Sequence, residues 1–315
     1  MFFTTSMYIF SLGFFDNRGE KTLANKMMMI VAVAVVAVIC VAGAVVLLNN
    51  NDDKGSDSHT TISVMGSTTV EPLMVSFQEA YEKEKNNVSI TVSAQGSGTA
   101  APAIRNGIAE IGMLSRDPSS SESDMTPLII AGDGVVIIVS KSANVTDLTL
   151  EQVAKIYRGE ITNWNQVGGA NLTIRPIIRE DSSGTRECLD TIMAAKLGIT
   201  VAVLSEKYTS YPMQTTTGAM LTQANNVNGA IGYVNLGALP TLGTTAPNMT
   251  AVSIDGIAPS PATVTDGTYE ISRNLILITG GTPTGEVKAF LDWIMSPKGQ
   301  KLVETGGFVP VAPTA

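Results

Sequence analysis

The chain of 315 residues is 44% hydrophobic and carries 28 acidic against 20 basic residues, a formal net charge of −8. This length and apolar content allow a substantial core, in one large or two medium domains. Acidic and basic residues are interspersed without a block of Lys and Arg, which excludes a nucleic-acid-binding function and nucleic acid as a partner.

An apolar segment near the N-terminus is long enough to cross a membrane. Residues 27–48, MMMIVAVAVVAVICVAGAVVLL, are 22 consecutive uncharged residues, and a spanning helix needs about 20. Lys21 and Lys26 precede the segment, and the next basic residue is Lys54. This asymmetry predicts that residues 1–26 are cytoplasmic and that the chain after the segment is outside.

The same segment is also compatible with processing. Ala42, Gly43 and Ala44 form a small-residue site typical of signal-peptide cleavage. Cys40 is a third option as a lipid-modified residue, although Ile39 replaces the small residue that such sites have before the cysteine. Anchor and signal both export the rest of the chain, so we expect it at the extracytoplasmic face of the membrane, or secreted after cleavage.

The folded part is predicted to follow a polar tether. Residues 49–60, NNNDDKGSDSHT, are turn-rich and have no apolar period. From residue 61, the strand patterns TISVMG, VSITVSAQ and AEIGMLS alternate with helical patterns at residues 70–85 and 100–107. This β-α-β-α-β order predicts an α/β fold with a parallel or mixed sheet covered by helices.

A second α/β unit follows the first. The apolar run GVVIIVS, residues 134–140, predicts a buried strand. The helix TLEQVAKIYRG, the strand LTIRPIIRE, a helix at residues 185–197 and the strand NGAIGYVNL come next. The chain ends with a long amphipathic helix that Pro297 interrupts, followed by FVPV.

The two units predict a two-lobe architecture. A second unit inserted within the first gives two lobes joined by two crossing strands, for which residues 134–140 and 229–234 are the candidates. Lobe 1 then comprises residues 61–134 and 235–315, and lobe 2 comprises residues 135–234. A ligand cleft is expected between the lobes.

Three strand ends share one pattern of glycine and hydroxyl residues. GSTTVEP (residues 66–72), QGSGTAAP (95–102) and SSGTRE (182–187) each continue into a predicted helix. The first N–H groups of a helix are unpaired and the helix dipole adds about half a positive charge there, so an anion is attracted. Glycine permits close approach, and hydroxyls add donors. Each start alone is also a common N-cap that binds nothing, but three of them in two lobes favour an anion site.

Arg179 places a positive charge next to the third helix start. Its planar guanidinium has paired donors that suit an oxyanion. The alternative is an ion pair with Glu180 or Asp181. Aromatic residues are only 5% of the chain, so the site suits a compact tetrahedral oxyanion better than a large organic ligand.

A carboxylate in the site would decide between tetrahedral anions. Monohydrogen phosphate carries a proton and needs an acceptor, whereas sulfate carries none, so a carboxylate favours phosphate and repels sulfate. Asp117, in the strand-end segment LSRDPSSSE, is the leading candidate and Asp181 is the reserve. The alternative for that segment is a solvated turn.

Several motifs of the chain carry a family resemblance when taken in order. They are GSTTV, GSGTA, IGMLSRD, LTLEQVAKIYRGEITNWNQVGG, RPIIREDSSGTR, GAIGYV and FLDWIMSPKGQKLVETGGFVP. Over most of residues 61–311 they resemble the PstS family, the phosphate-binding proteins of ABC transporters. The resemblance implies a class II periplasmic-binding-protein fold whose lobes close on inorganic phosphate. It also implies delivery to permease subunits in the membrane, and we expect a monomer.

Motif and resemblance together define the candidate site. The candidate phosphate ligands are Ser67, Thr68, Ser97, Gly98, Ser115, Asp117, Arg179, Ser183, Gly184 and Thr185, with Thr69, Arg116 and Asp181 as further candidates. Many members of the family have an aspartate directly after the serine of IGMLSRD, whereas this chain has Arg116 there and Asp117 one residue later. The proton acceptor therefore stays open between Asp117 and a site in which Ser115 and Arg116 only donate.

Other functions compete with phosphate binding. An exported phosphatase-like hydrolase with a Ser-His-Asp triad is disfavoured because the single histidine, His59, lies in the tether and no G-x-S-x-G motif occurs. We expect no cofactor and no metal, since His and Asp do not cluster at ligand spacing. Binding of sulfate, molybdate or tungstate, and a sensor or adhesion role without transport, stay open.

Overall fold

The computed structural model describes residues 59–311 of the protein. The predicted membrane or signal segment at residues 27–48 lies outside the described residues, as does most of the tether. Within residues 59–311, no single helix has the length and apolar composition to cross a membrane. Two consecutive helical segments, Gly184–Leu197 and Val201–Ser210, have the required length and apolar composition only when they are counted together, and the chain bends by 97° between them.

The strands of the described part are short except for one. They are β1 Thr60–Gly66, β2 Val88–Ala94, β3 Ile111–Leu114, β4 Thr126–Ser140, β5 Asp147–Leu148, β6 Arg175–Pro176, β7 Ile178–Arg179, β8 Met213–Gln214, β9 Ala230–Asn235, β10 Met249–Ala251, β11 Ser253–Ile254, β12 Ser272–Thr279 and β13 Val309–Pro310. Nine of them form one mixed sheet in the order β2-β1-β3-β12-β4-β9-β6, with β10 and β13 also paired to β4. The predicted α/β class is confirmed.

Helices cover this sheet. They are α1 Glu71–Glu84, α2 Ala100–Arg105, α3 Leu150–Tyr157, α4 Gly184–Leu197, α5 Val201–Leu204, α6 Thr217–Asn225, α7 Leu239–Thr245, α8 Pro261–Thr265, α9 Gly285–Met295 and α10 Pro297–Thr305. The five predicted helices start within one residue of their predicted positions, whereas the helices at residues 201–204, 217–225, 239–245 and 261–265 have no predicted counterpart. In α1, Leu73, Met74, Phe77 and Tyr81 are buried because their spacing puts them on one face. The predicted break at Pro297 is confirmed, since α9 ends just before it and α10 begins there.

The long strand β4 runs through both large hydrophobic clusters. Its residues up to Gly134 pair with β12, and those from Val135 pair with β9. One cluster is built from side chains within residues 62–131 and 275–308. The other is built from side chains within residues 135–271. β4 is therefore shared between two cores.

The second cluster extends beyond the predicted second lobe. Side chains of residues 236–271 pack with those of β9, in the same cluster, whereas the prediction assigns residues from 235 onward to lobe 1. The lobe boundaries themselves stay a prediction. A fold with two cores and one shared strand is the framework on which the three helix starts are placed.

Two sequence patterns did not predict the observed strands. LTIRPIIRE is predicted as one strand, but it forms β6 and β7, which pair with β9 and β8 in different sheets. The bonds to β9 continue past Pro176, since the Ile177 N–H donates to the Ile231 carbonyl oxygen at 2.9 Å. The next residue changes partner, because the Ile178 N–H donates to the Pro212 carbonyl oxygen at 3.0 Å, on the side of β8. β12 and the first part of β4, residues 126–133, have no counterpart among the predicted elements.

Candidate functional site

The first glycine and hydroxyl turn joins β1 to α1. Gly66 has a φ of 141°, and a Cβ there would lie 2.3 Å from the carbonyl oxygen of Met113, so glycine is required where β1 passes β3. The Ser67 hydroxyl accepts hydrogen bonds from the N–H of Thr69 at 3.1 Å and of the next residue at 3.4 Å. The turn thus fixes its own backbone, which leaves the hydroxyls of Thr68 and Thr69 to bond elsewhere.

The second turn, between β2 and α2, lies against the third. Gly96 has a φ of 96°, and a Cβ on it would lie 2.4 Å from the Ser182 Oγ. The Gly98 N–H donates to the Ser182 carbonyl oxygen at 3.0 Å. The Ser182 hydroxyl donates to the carbonyl oxygen of Gln95 at 3.2 Å. Backbone groups therefore hold the second and third turns together.

The third turn, between β7 and α4, brings hydroxyls from all three turns to one place. A Cβ on Gly184 would lie 2.4 Å from the Ser97 Oγ and 2.8 Å from the Ser115 Oγ. The hydroxyl oxygens of Ser97 and Ser115 are 3.3 Å apart. The Thr185 Oγ1 is 2.9 Å from the Thr69 Oγ1. The predicted meeting of separate turns is thus present in the structure.

We call this group of buried hydroxyl residues the hydroxyl cluster. It consists of Ser67, Thr68, Thr69, Ser97, Ser115, Ser183 and Thr185. The most exposed member, Thr68, is 5% exposed, and burying hydroxyls costs free energy unless polar partners replace water. The N–H groups of Gly184 and Thr185 open α4 and have no partner within that helix. The hydroxyl cluster is therefore a dry, donor-rich place that suits an anion with several oxygens.

Arg179 ties the first turn to the third and is 1% exposed. Its Nη2 donates to the Thr68 Oγ1 at 2.8 Å, and its Nη1 donates to the Thr217 Oγ1 at 3.3 Å. Its Nε and Nη2 each lie 2.9 Å from a carboxylate oxygen of Glu180. The ion pair considered as the alternative is therefore present, beside a hydrogen bond into the hydroxyl cluster. Hydroxyl acceptors can rotate to other partners, so an oxyanion could take their place.

Arg116 lies next to Ser115, but it bonds away from the hydroxyl cluster. Its guanidinium donates to both carboxylate oxygens of Glu122, at 2.6 and 2.9 Å. Its Nε lies 2.6 Å from the Glu187 Oε2 on α4. Two carboxylates thus neutralise this cation, and the second pair connects the end of β3 to α4.

The two acids predicted as proton acceptors lie outside the hydroxyl cluster. Asp117 is exposed. The side chain of Asp181 is 91% exposed and accepts from the Arg186 Nη1 at 2.5 Å. The structure thus brings together the predicted hydroxyl, glycine and Arg179 positions, but not these two acids. Within residues 59–311, no three His, Cys, Asp or Glu side chains are arranged to hold a metal ion.

A second buried arginine reaches the hydroxyl cluster and has no counterpart in the prediction. Arg273 of β12 pairs with Asp133 of β4 through Nε at 2.9 Å and Nη2 at 2.7 Å, and its Nη2 lies 3.5 Å from the Thr69 Oγ1. Complete burial raises the pKa of Asp133, and the charge of Arg273 opposes that rise. The sequence signal was an acid inside an apolar strand pattern, AGDGVVIIVS.

A third arginine, Arg186, contacts the backbone of Arg179. The Arg186 Nη1 donates to the Arg179 carbonyl oxygen at 3.0 Å. Its Nε lies 3.4 Å from the Asp190 Oδ2, and its guanidinium carbon is 4.9 Å from the centre of the Tyr208 ring. The Tyr208 hydroxyl donates to Asp190 at 2.6 Å. Burial raises the pKa of Asp190 to about 6, although both partners favour its charged form.

Comparison with known proteins covers most of the chain. Residues 51–298 match the family model of the PBP superfamily domain. The chain is 30% identical to the phosphate-binding protein PstS of Borreliella burgdorferi, over 82% of this chain and 92% of that protein. It is 31% identical to the phosphate-binding protein PstS of Bacillus subtilis, over 80% of this chain and 81% of that protein.

A solved structure shows the same similarity in three dimensions. It comes from Clostridium perfringens, is described as a phosphate ABC transporter substrate-binding protein, and holds bound phosphate. It is 31% identical to this chain, with a TM-score of 0.72. The similarity covers 80% of this chain and 99% of that one.

Proposed function

Because the chain belongs to the PBP superfamily, within the PstS family of phosphate-binding proteins, we propose that it captures inorganic phosphate outside the cytoplasm for an ABC-type permease. The family and the fold implied by the sequence motifs are confirmed by these matches and by the related structure. The family consists of solute-binding proteins. The function that follows is binding and delivery.

The meeting of three helix starts with Arg179 is the observation that carries the proposal. Phosphate presents four oxygens in a tetrahedron, and the hydroxyl cluster offers donors from four separate chain segments around one place. Arg179 adds a positive charge through its bond to Thr68. Enclosure strengthens each of these interactions, because bulk water is excluded from them.

The contacts that we propose for phosphate follow the predicted residues. They come from Ser67, Thr68, Ser97, Gly98, Ser115, Arg179, Ser183, Gly184 and Thr185, with Thr69 and Arg116 as further candidates. For the proton of monohydrogen phosphate, Asp117 and Asp181 stay the candidates, and each would have to turn inward from its exposed position. Glu180 joins them, because it is 13% exposed and already contacts Arg179.

The remaining features of the proposal concern the setting of the protein. We infer a monomer that performs no chemistry on its ligand and hands phosphate to permease subunits in the membrane. Residues 27–48 would hold it at the extracytoplasmic face, or the protein would be secreted after cleavage. Recovery of the native protein with residues 27–48 attached would favour the anchor, and their loss would favour the signal.

Competition calorimetry on the full chain tests the ligand. Phosphate, sulfate, molybdate and tungstate are titrated separately and in competition at neutral pH. We expect phosphate to bind more tightly than the others. An acceptor carboxylate would accept a hydrogen bond from the proton of monohydrogen phosphate, whereas the other three anions have no proton to donate and would be repelled. Tighter binding of another anion would replace phosphate as the ligand. Turnover of a chromogenic phosphate ester would reject a pure binding role.

A further inference from the structure

Arg179 lies in a strand that is paired on one side only. Among residues 59–311, β7 pairs with β8 and with no other strand. The Ile178 N–H donates to the Pro212 carbonyl oxygen at 3.0 Å. The Glu180 N–H donates to the Gln214 carbonyl oxygen at 3.1 Å. Alternate residues of a strand direct their N–H and C=O groups to opposite sides, so those of Arg179 face away from β8, where β7 has no partner strand.

Two side chains take the place of the missing strand. The Tyr233 hydroxyl, on β9, accepts a hydrogen bond from the Arg179 N–H at 2.9 Å. The Arg186 Nη1, on α4, donates to the Arg179 carbonyl oxygen at 3.0 Å. Arg179 is buried, so bulk water does not replace either bond, and a buried backbone group without a partner is costly. Both main-chain groups of Arg179 therefore depend on one side chain each.

Both supporting side chains are themselves held in place. Tyr233 is buried, and its ring centre lies 5.9 Å from that of Tyr157 with the ring planes at 67°. Burial raises the pKa of Tyr233, so its hydroxyl stays neutral. The guanidinium of Arg186 lies between Asp190 and the ring of Tyr208, as described above. The two side chains thus fix the backbone position from which the Arg179 side chain extends.

The backbone position of Arg179 decides where its guanidinium lies. That guanidinium reaches Thr68 of the hydroxyl cluster at 2.8 Å. If one support is removed, the unpaired backbone group would find a partner only in a shifted backbone, and phosphate binding would have to restore the original position. A site whose binding-competent conformation is only partly populated binds its ligand correspondingly more weakly.

From these contacts we infer that Tyr233 and Arg186 are positioning residues for phosphate binding. They act through the backbone of Arg179 and do not contact the ligand. The inference rests on the proposed function, because it takes Arg179 as a phosphate contact. It goes further by assigning part of the phosphate affinity to two side chains outside the three turns.

Tyr233→Phe tests the first support, because it removes the hydroxyl and keeps the ring. In calorimetry of the full chain with inorganic phosphate, we expect the affinity to fall about fivefold to tenfold. Tyr269→Phe is the matched control. Tyr269 is also buried, and its hydroxyl donates to the Val135 carbonyl oxygen of β4 at 2.9 Å. This control loses a buried hydrogen bond to a different strand, so its phosphate affinity should stay within about twofold of the wild type.

Combination with Arg179→Ala separates positioning from a general loss of stability. If the Tyr233 hydroxyl acts through Arg179, Tyr233→Phe should change phosphate affinity by less than about twofold in the Arg179→Ala background. The rise of the melting temperature with phosphate concentration measures the weaker binding of these variants. An equal loss of affinity in both backgrounds would overturn the inference, because the hydroxyl would then act independently of Arg179.

Arg186→Lys and Arg186→Met test the second support. Lysine keeps a cationic donor on a chain of similar length, so Arg186→Lys should bind phosphate at least about threefold more tightly than Arg186→Met. Equal affinities of these two variants would remove Arg186 from the inference.

The wild type and Tyr233→Phe together distinguish the inference from the function. Phosphate binding by the wild type with unchanged affinity in Tyr233→Phe would overturn the inference and leave the function standing. A wild type that does not bind phosphate would overturn both.

Discussion

Arg179 and Arg273 are both buried beside the hydroxyl cluster, at 1% and 3% exposure, but they have different surroundings. Arg179 pairs with its sequence neighbour Glu180, and its other side-chain partners are hydroxyl and carbonyl oxygens. Arg273 pairs with the fully buried Asp133, directly across from it on the adjacent strand. Burial of an arginine therefore does not identify a ligand contact. On the basis of these partners we propose that Arg179 contacts the ligand and that Arg273 stabilises the fold.

The largest expected effect concerns the structural arginine. Asp133→Ala should lower the free energy of unfolding by ~3–5 kcal/mol, because it leaves the Arg273 charge buried and unpaired. Chemical denaturation measures this loss, and calorimetry should show phosphate affinity changed less than about threefold in the folded protein. The double variant Asp133→Ala/Arg273→Met should recover part of the stability. A small stability loss with a large loss of affinity would place this pair in the binding site instead.

The next largest effect concerns Arg179, which we propose as a ligand contact. Arg179→Ala should reduce phosphate binding by at least ~2 kcal/mol, since it removes charge-assisted hydrogen bonds from an enclosed site. Calorimetry gives the value, and Arg175→Ala, at an exposed position of β6, serves as the control. Unchanged affinity would show that Arg179 does not contact the ligand, and the comparison of the two arginines would fail.

A third buried pair, Arg186 with Asp190, adds a dependence on pH. The folded-state pKa of Asp190 is raised to about 6, above its ordinary value of 3.8. The folded state therefore binds this proton more readily, and the stability contributed by this group rises as pH falls from 7 towards 4. Relative to Asp190→Asn, the wild type should gain about 2 kcal/mol between pH 7 and 4.5 in denaturant titrations. A parallel pH dependence in both proteins would contradict the raised pKa.

The smallest effect concerns the pair between Arg116 and Glu187. The Glu187 side chain is 50% exposed, so solvent screens the pair, and Glu187→Gln should lower the free energy of unfolding by less than ~1 kcal/mol. Glu122→Gln, at the buried partner of the same arginine, should cost more because that carboxylate accepts two hydrogen bonds. Thermal unfolding of the two variants side by side provides the measurement. Equal losses of stability in the two variants would mean that the solvent exposure of the carboxylate does not determine how much its ion pair stabilises the protein.

The parts of the site that are local in sequence could be predicted from it. Gly184 and Thr185 follow a strand, are the first two residues of a helix capped by Ser183, and carry the glycine and hydroxyl pattern, so helix-end chemistry alone points to them. Their proximity to Ser97 and Thr69 depends on the tertiary fold, which the family resemblance predicts and the local sequence pattern does not. The division of LTIRPIIRE into β6 and β7 depends on pairing with β9 and β8, which lie further along the chain, so the apolar pattern alone does not show it.

The parts that depend on distant pairing could not be predicted. Asp133 and Arg273 are 140 residues apart and meet only because β4 and β12 are neighbours in the sheet. Asp117 and Asp181 are predicted as acceptors because they lie near the helix starts in sequence, yet both are exposed to solvent. A sequence pattern fixes which residues are close along the chain, whereas side-chain direction depends on the packing around each turn.

β4 couples the unfolding of the two hydrophobic clusters. Its first part pairs with β12 in one hydrophobic cluster, and its second part pairs with β9 in the other. If either hydrophobic cluster unfolds, the part of β4 in that cluster loses its partner strand. Because the rest of β4 belongs to the other cluster, unfolding of one cluster destabilises the other. Residues 59–311 should accordingly denature in one cooperative transition. A ligand held at the three turns would raise the melting temperature of this whole part of the chain.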